Sequence, residues 1–334
     1  MTLAHLASLA GVSTSTASRA LKDNPLIKQD TRARIQALAR QHNFSVNAAA
    51  SRLRTQKTNV IAVILNLVDH TEQSISDPFL LKIVADLNQA LNARGYEMLL
   101  SNSFMATDDW AGYFIRSQRA DGLIVVGQGK TTDKIDQAAS AGVPIVVWGD
   151  PKSQSQYPII GGDNYLGGRL ATQHLIENGC KRIVYLGDPG HAELGERFKG
   201  YCQAHKTAGL SPDKALTMTI DITSKAAYQR INEHIRENGL NFDGIVAVSD
   251  MVALGALKAL KERYVGIPAD VAIMGYDDIA LAELMHPSLS TIRQNTRSAA
   301  EQMVSELIKQ FNGEEAKSTI IDIELVARRS SQRK

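Results

Sequence analysis

Leu3, Leu6, Ala7 and Ala10 recur at helical spacing at the start of the chain, and Gly11 follows where a helix end needs a residue tolerant of positive φ. A first helix is therefore predicted to stop at Gly11. Ser13 stands where an N-cap belongs, and Ala17 with Leu21 gives a second helix an inward stripe of small and medium residues. Ala7, Gly11 and Ala17 suit two helices that cross closely, with Val12 in the corner between them. Beyond a turn-rich loop with Pro25, the positions Ile35, Leu38, Ala39 and Phe44 mark a third helix that carries Arg32, Arg34 and Arg40 on its outside. The result is a three-helix bundle of about 45 residues, small enough to be marginally stable.

The following stretch, NAAASRLRTQKTN, predicts a short helix over 48–54 capped by Asn47, with Leu53 as its only large apolar side chain. So short a helix is unstable alone in water and needs a surface to fold against. A lone Leu between Arg52 and Arg54 fits a wedge that parts a base step in a minor groove, and it equally fits a solvated linker.

From Asn59 the pattern changes to apolar runs of strand length alternating with amphipathic stretches. VIAVILNLV, YEMLLSN, GLIVV and PIVVW form a first set, with helices predicted at 78–94, 108–119 and 131–141. RIVYLG, LTMTID, GIVAVS and VAIMGYDD form a second, with helices at 164–178, 193–208, 225–238 and 250–261. A helix at 295–312 and a strand STIIDIELV follow, returning to the first set and recrossing. Fully apolar strands separated by helices mean parallel sheets covered on both faces. Two such sets predict two doubly wound lobes with a cleft at the carboxyl ends of their strands, where open α/β sheets take ligands.

Composition adds one decisive asymmetry. The 334 residues, 44% hydrophobic and 22% charged, suit two or three soluble domains with a net charge of only +2. Residues 1–57, however, hold nine Lys or Arg against two acids, a net +7, and leave the remainder with 28 basic against 33 acidic residues, a net −5. A basic head on an acidic body points to a polyanion partner for the head alone. Cys180 and Cys202 are too few for a disulfide framework, and no Cys/His cluster suggests a metal. Neither a secretory leader nor an 18-residue apolar run is visible, so a cytoplasmic location without membrane contact is expected.

The first two helices fit a helix-turn-helix, whose second helix enters the major groove with its N-terminal side chains against base edges. Thr14, Ser15, Ser18 and Arg19 then face the groove, and Arg19 can grip guanine in a fork. The plainer alternative is an amphipathic helical hairpin with a polar wet side.

With these pieces in order, the chain resembles the LacI/GalR family of bacterial transcription regulators over nearly its full length. The resemblance is carried by TLAHLASLAGVSTSTASRAL, TRARI, NAAASRLRT, DGLIVV, GGDNYLGGRLATQHLIENGCKRIVYLG, ERFKGY, SDMVALG, IMGYDD and PSLSTIRQN. It implies a headpiece over 1–46, a hinge helix and linker over 47–58, and a periplasmic-binding-protein-like core over 59–334. The first lobe would span about 59–160 and 292–320 and the second about 161–291 and 321–330. It also implies a homodimer on a palindromic double-stranded DNA operator, with a sugar or sugar phosphate as effector. The expected DNA contacts are Thr2, Thr14, Ser15, Thr16, Ser18 and Arg19 in the headpiece and Asn47, Ala50, Leu53 and Arg54 in the hinge. Four positions depart from the family pattern: Ser51-Arg52 stand in the reverse of the usual order, Lys28 replaces the usual Ser cap of the third helix, and Ser249 replaces a frequent Asn.

Candidate effector contacts lie at strand ends: Asp77, Phe79, Trp148, Asp150, Arg197, Ser249, Asp277 and Gln294. Carboxylates and an Arg in a dry cleft satisfy paired hydroxyls from both sides, and an aromatic ring offers its face to a sugar. By resemblance Arg197 and Asp277 are the principal contacts. Trp148 reads equally as core, while Asp250 is expected to cap the helix that it precedes, an ambiguity that Asp278 shares. No GxGxxG opening a helix, Walker loop or GxSxG elbow occurs, so neither catalysis nor a cofactor is expected. A carbohydrate-binding transport protein would share the two lobes but would have no use for the basic head. Whether the effector releases the protein from DNA or recruits it is open at this point.

Overall fold

The computed structural model describes residues 1–44, 57–67, 73–104 and 107–333. The predicted hinge helix, with Asn47, Ala50, Leu53 and Arg54, lies outside the described residues. The chain divides into two compact units, Met1–Thr58 and Asn59–Lys334.

The first unit holds α1 (Leu3–Leu9), α2 (Thr14–Leu21) and α3 (Gln29–Gln41). Thr2 caps α1 by accepting from the His5 amide at 3.2 Å, and Ser13 caps α2 by accepting from the Thr16 amide at 3.2 Å. Gly11 turns the chain between them at φ +62°, where the Val12 amide can reach the Ala7 carbonyl at 3.0 Å. Leu6, Ala7, Ala10, Ala17, Ala20, Ile35 and Ala39 close a core with small residues at the crossings. α3 begins at Lys28 without a side-chain cap. Two of the arginines expected on its outer face are engaged within the unit: Arg34 donates to the Ala10 carbonyl at 3.0 Å, and Arg32 pairs with Asp23 at 2.7 Å.

The second unit contains two parallel sheets. The first has the order β11-β5-β4-β3-β1-β2, built from β1 (Val60–Leu65), β2 (Glu97–Asn102), β3 (Gly122–Val126), β4 (Ile145–Trp148), β5 (Ile159–Gly162) and β11 (Thr319–Ile321). The second has the order β7-β6-β8-β9, from β6 (Ile183–Leu186), β7 (Thr217–Met218), β8 (Gly244–Ala247) and β9 (Ala272–Met274). β10 (Thr291–Gln294) and β12 (Ile323–Val326) pair antiparallel as a separate two-stranded ribbon. The strands β1, β3, β4, β6 and β8 are buried on both faces because helices cover both, whereas the edge strand β2, also expected to be covered, is half-buried to exposed along its length. Ile61, Val63 and Leu65 of β1 pack with α4 (Pro78–Asn92) and α11 (Thr296–Phe311), while Ala62 and Ile64 pack with Trp110, Phe114 and Ile135 of α5 (Asp133–Ser140) and its neighbours. The second lobe is flanked by α6 (Asn164–Glu177), α7 (Ala192–Thr207), α8 (Ser224–Asn238) and α9 (Asp250–Glu262), with a short α10 (Ala280–Leu284) after β9.

Three predicted elements differ. The helix expected at 108–119 is a single wide turn over Ala111–Arg116, near whose start the Asp109 carboxylate accepts from the Gly112 amide at 2.8 Å. LTMTID contributes only the two-residue edge strand β7. STIIDIELV is two strands, not one, because its halves find partners in different sheets: Thr319–Ile321 beside β5 and Ile323–Val326 beside β10.

Candidate functional site

The cleft lies at the carboxyl ends of β1, β3, β4, β8 and β9 and encloses a cavity of about 120 Å³. Seven of the eight candidate effector residues line it: Asp77, Phe79, Trp148, Arg197, Ser249, Asp277 and Gln294. Asp150 does not. The chain turns after β4, and Asp150 is buried in that turn, its amide donating to the Gln128 side chain at 2.7 Å and its carboxylate accepting from Ser153 at 3.4 Å.

Arg197 is placed by a close helix crossing. Gly168 of α6 and Gly200 of α7 let the backbones touch: a Cβ at Gly168 would lie 2.0 Å from the Arg197 carbonyl, and one at Gly200 would lie 2.0 Å from the Tyr165 carbonyl. The guanidinium then stacks 3.5 Å from the centre of the Tyr276 ring and donates through Nε to Asn164 Oδ1 at 2.9 Å and through Nη1 to the Val248 carbonyl. Its geometry is thus locked before any ligand arrives.

Asp277 faces Arg197 across the cleft floor from a strained position, φ +114°. Its amide donates to the Ile292 carbonyl at 2.7 Å, and its carboxylate accepts from Gln294 Nε2 at 2.8 Å. Burial holds its pKa well above the usual carboxylate range, against the opposing pull of Arg197. Asp77 caps α4 by accepting from the Phe79 and Leu80 amides, and burial raises its pKa as well. Phe79 and Trp148 stand with ring centres 5.9 Å apart and planes at 50°. Trp148 serves the first-lobe core and the cleft wall at once.

Glu193 escaped the sequence reading. It lies one turn before Arg197 on α7, lines the cleft, and its carboxylate accepts from the Gln128 amide of the opposite lobe at 3.3 Å, with its pKa raised by burial. Helical spacing back from Arg197 in the ERFKGY stretch would have found it. A second tie across the cleft joins Lys130 to Asp188 at 2.8 Å.

Ser249, which lines the cleft, also takes the cap expected of Asp250, and Asp250 caps nothing. Ser249 caps α9, its hydroxyl accepting from the Val252 amide at 3.2 Å. Asp250 is fully buried and accepts instead from Thr291 Oγ1 at 2.7 Å and the Ile279 amide at 2.9 Å, with burial lifting its pKa to about 7. Asp278 is likewise no cap: it pairs with Arg293 at 2.7 Å and Arg328 at 2.8 Å.

In the first unit, Thr14, Ser15 and Arg19 are exposed along α2 and Thr16 is half-buried. Ser13 Oγ lies 2.9 Å from both the Ser15 and Thr16 hydroxyls, which gathers three hydroxyls at the helix N-terminus. Ser18, expected on the wet face, is only 7% exposed, because it neighbours the buried Ala17 and Ala20 on the side of α2 that meets the bundle.

A basic helix-turn-helix unit followed in the chain by a two-lobed α/β core with a cleft at the ends of its strands is the organisation of a ligand-responsive, DNA-binding transcriptional regulator. Residues 2–47 match the family described as bacterial regulatory proteins, lacI family, and residues 172–331 match the periplasmic binding protein-like domain. The chain is 29% identical to the HTH-type transcriptional regulator CelR of Thermobifida fusca over 98% of each chain. It is 30% identical to the HTH-type transcriptional repressor PurR of Actinobacillus pleuropneumoniae serotype 3, over 88% of this chain and 86% of that one. A solved complex of the regulator CelR with cellobiose superposes with a TM-score of 0.72 at 27% identity over 99% of each chain. The chain belongs to the lacI family of bacterial transcription regulators. Among the described residues no helix is long and apolar enough to cross a membrane.

Proposed function

We propose that the chain is a cytoplasmic, homodimeric repressor of carbohydrate-utilisation genes that binds a palindromic operator and catalyses no reaction. Its effector is a sugar or sugar phosphate held between the lobes. The observation that carries this is the composition of the cleft: the Phe79 and Trp148 rings on one side, with Asp77, Glu193, Asp277 and the pre-set Arg197 around them. Rings stack on the apolar face of a sugar while carboxylates and guanidinium take its hydroxyls. The CelR complex, which holds cellobiose, supports the same class of ligand. Thr2, Thr14, Ser15, Thr16 and Arg19 meet the operator from the headpiece, and Asn47, Ala50, Leu53 and Arg54 from the hinge.

The ligand acts by favouring one arrangement of the lobes, and by linkage the factor by which it changes the affinity for DNA equals the factor by which DNA changes the affinity for the ligand. The test is a thermal-shift screen of sugars, sugar phosphates and nucleobases followed by operator binding with each hit. A sugar that raises the melting temperature and shifts operator affinity supports the reading. A shift caused by nucleobases alone replaces it with a regulator that takes a nucleobase as corepressor.

A further inference from the structure

Five titratable side chains line the cavity: Asp77 from the first lobe, and His191, Glu193, Arg197 and Asp277 from the second. Among the described residues Arg197 is the single permanent cation of this lining, and desolvation holds His191 below its usual pKa and so neutral. Arg197 is set against Asp277, whose pKa it pulls down against burial. Lys130, next in the chain to the lining residue Gly129, is taken by Asp188 at 2.8 Å.

Asp77 and Glu193 are thereby left without a counter-charge among the described residues. Backbone amides hold both: those of Phe79 and Leu80 donate to Asp77, and that of Gln128 donates to Glu193. An amide orients a carboxylate but does not neutralise it, and burial raises both pKa values. Both residues are half-buried and line the cavity, so a ligand in the cleft can reach them.

A sugar hydroxyl would bond to either carboxylate and leave the charge in place, while a phosphate would add to it. An ammonium group removes the imbalance, because a charge taken out of water is tolerated when it is paired. Phe79 favours the same group. Its ring, two residues on from Asp77, lines the cavity with its centre 5.9 Å from that of Trp148, and the face of an aromatic ring attracts cations.

We propose that the effector is an amino sugar, its ring against Phe79 and Trp148 and its ammonium group held by Asp77 of the first lobe and Glu193 of the second. This rests on the reading of the cleft as a sugar site and narrows it from sugars and sugar phosphates to sugars that carry a free amine. Because the two carboxylates belong to different lobes, the ammonium joins them, which is the differential contact that a ligand needs to favour one arrangement.

The test titrates the full chain by calorimetry with glucosamine, galactosamine and mannosamine, each beside its parent hexose and its N-acetyl form, and with glucose 6-phosphate and cellobiose. One amino sugar should bind at least about tenfold tighter than both its parent and its acetylated form, the yield of one charge-assisted hydrogen bond. Asp77→Asn and Glu193→Gln each remove one charge while keeping an oxygen for the backbone amides. Each should lower that ratio, and together they should bring it close to one; the two single variants, in separate lobes, guard against misfolding of the double. A hexose, N-acetyl sugar, glucose 6-phosphate or cellobiose that binds as tightly as every amino sugar, or a ratio unmoved when both carboxylates are changed, would overturn the proposal and leave the cleft a sugar site. Silence from every sugar would instead remove the sugar site itself.

Discussion

The Gln294 side chain donates to the Asp277 carboxylate at 2.8 Å, and this bond joins the floor of the cleft to a strand that runs between the lobes. Gln294 ends β10, which pairs with β12, and the chain passes directly from it into α11, a helix packed on the first-lobe sheet. A ligand that grips Asp277 therefore pulls on an element built into both lobes, which is the kind of two-state connection that coupling requires. Gln294→Ala leaves a buried carboxyl without its donor. It should cost about 1–3 kcal/mol of core stability and weaken the effect of ligand on DNA affinity more than it weakens ligand binding. Paired calorimetric and operator titrations check this; a loss confined to ligand binding would show that the bond only shapes the pocket.

Arg197→Lys keeps the charge but forfeits the fork. A lysine cannot donate to Asn164 and Val248 together while stacking on Tyr276. We expect ligand affinity to fall by about 2–3 kcal/mol, read by calorimetry, and the core to melt earlier because Asn164 and Tyr276 lose their partner.

Gly168→Ala tests how Arg197 is placed. The added methyl meets a backbone carbonyl, which cannot swing aside, so the core should lose about 3 kcal/mol and ligand binding should fall with it. Leu284→Ala, at a position 78% exposed, should shift denaturant midpoints by less than about 0.5 kcal/mol.

Asp250 makes stability depend on pH in a definite direction. Its pKa is about 7 in the folded protein against a usual value of 3.8, so between these pH values the native state binds the extra proton. Stability from this group is therefore lost as pH rises from about 4 to 7, at no more than about 1.4 kcal/mol per pH unit. Half-buried His174 and buried His191 and His205, whose pKa values desolvation lowers, act in the opposite sense below their usual 6.5. The comparison that isolates Asp250 is the wild type against Asp250→Asn. The variant should gain on the wild type as pH rises through this window, and a constant difference from pH 4 to 8 would contradict the assignment.

Much of this was legible from local pattern. Ser13 announces the start of α2, and runs such as VIAVIL can only be strands covered on both faces. What local pattern could not convey depended on pairing at a distance. Nothing in STIIDIELV says that Asp322 separates strands belonging to different sheets. Asp250 looked like a cap because an acid before an apolar helix usually is one, but Ser249 comes first and Thr291 lies 41 positions away in sequence. Asp150 fell outside the cleft because the turn after β4 carries it past the end of the sheet. Ser18 is buried because α2 presents more of its circumference to the bundle than its hydroxyl suggested.

Arg19 is exposed on α2 with no ion-pair partner among the described residues, which leaves its fork free for a base edge. Arg19→Ala should cost about 1–3 kcal/mol against the preferred operator and relax selection at one base position. Equal weakening on all sequences, measured by competition binding, would make it a phosphate contact.

The most direct measurement is fluorescence anisotropy of the full chain on a fragment selected from genomic DNA, across a salt series, with and without a sugar that binds the core. We predict a preference for that fragment over random duplex, an affinity that falls steeply with salt, and a change of about 5–150-fold on adding the sugar. Equal affinity for all duplexes, or an operator affinity that a saturating cleft ligand leaves untouched, would contradict the account.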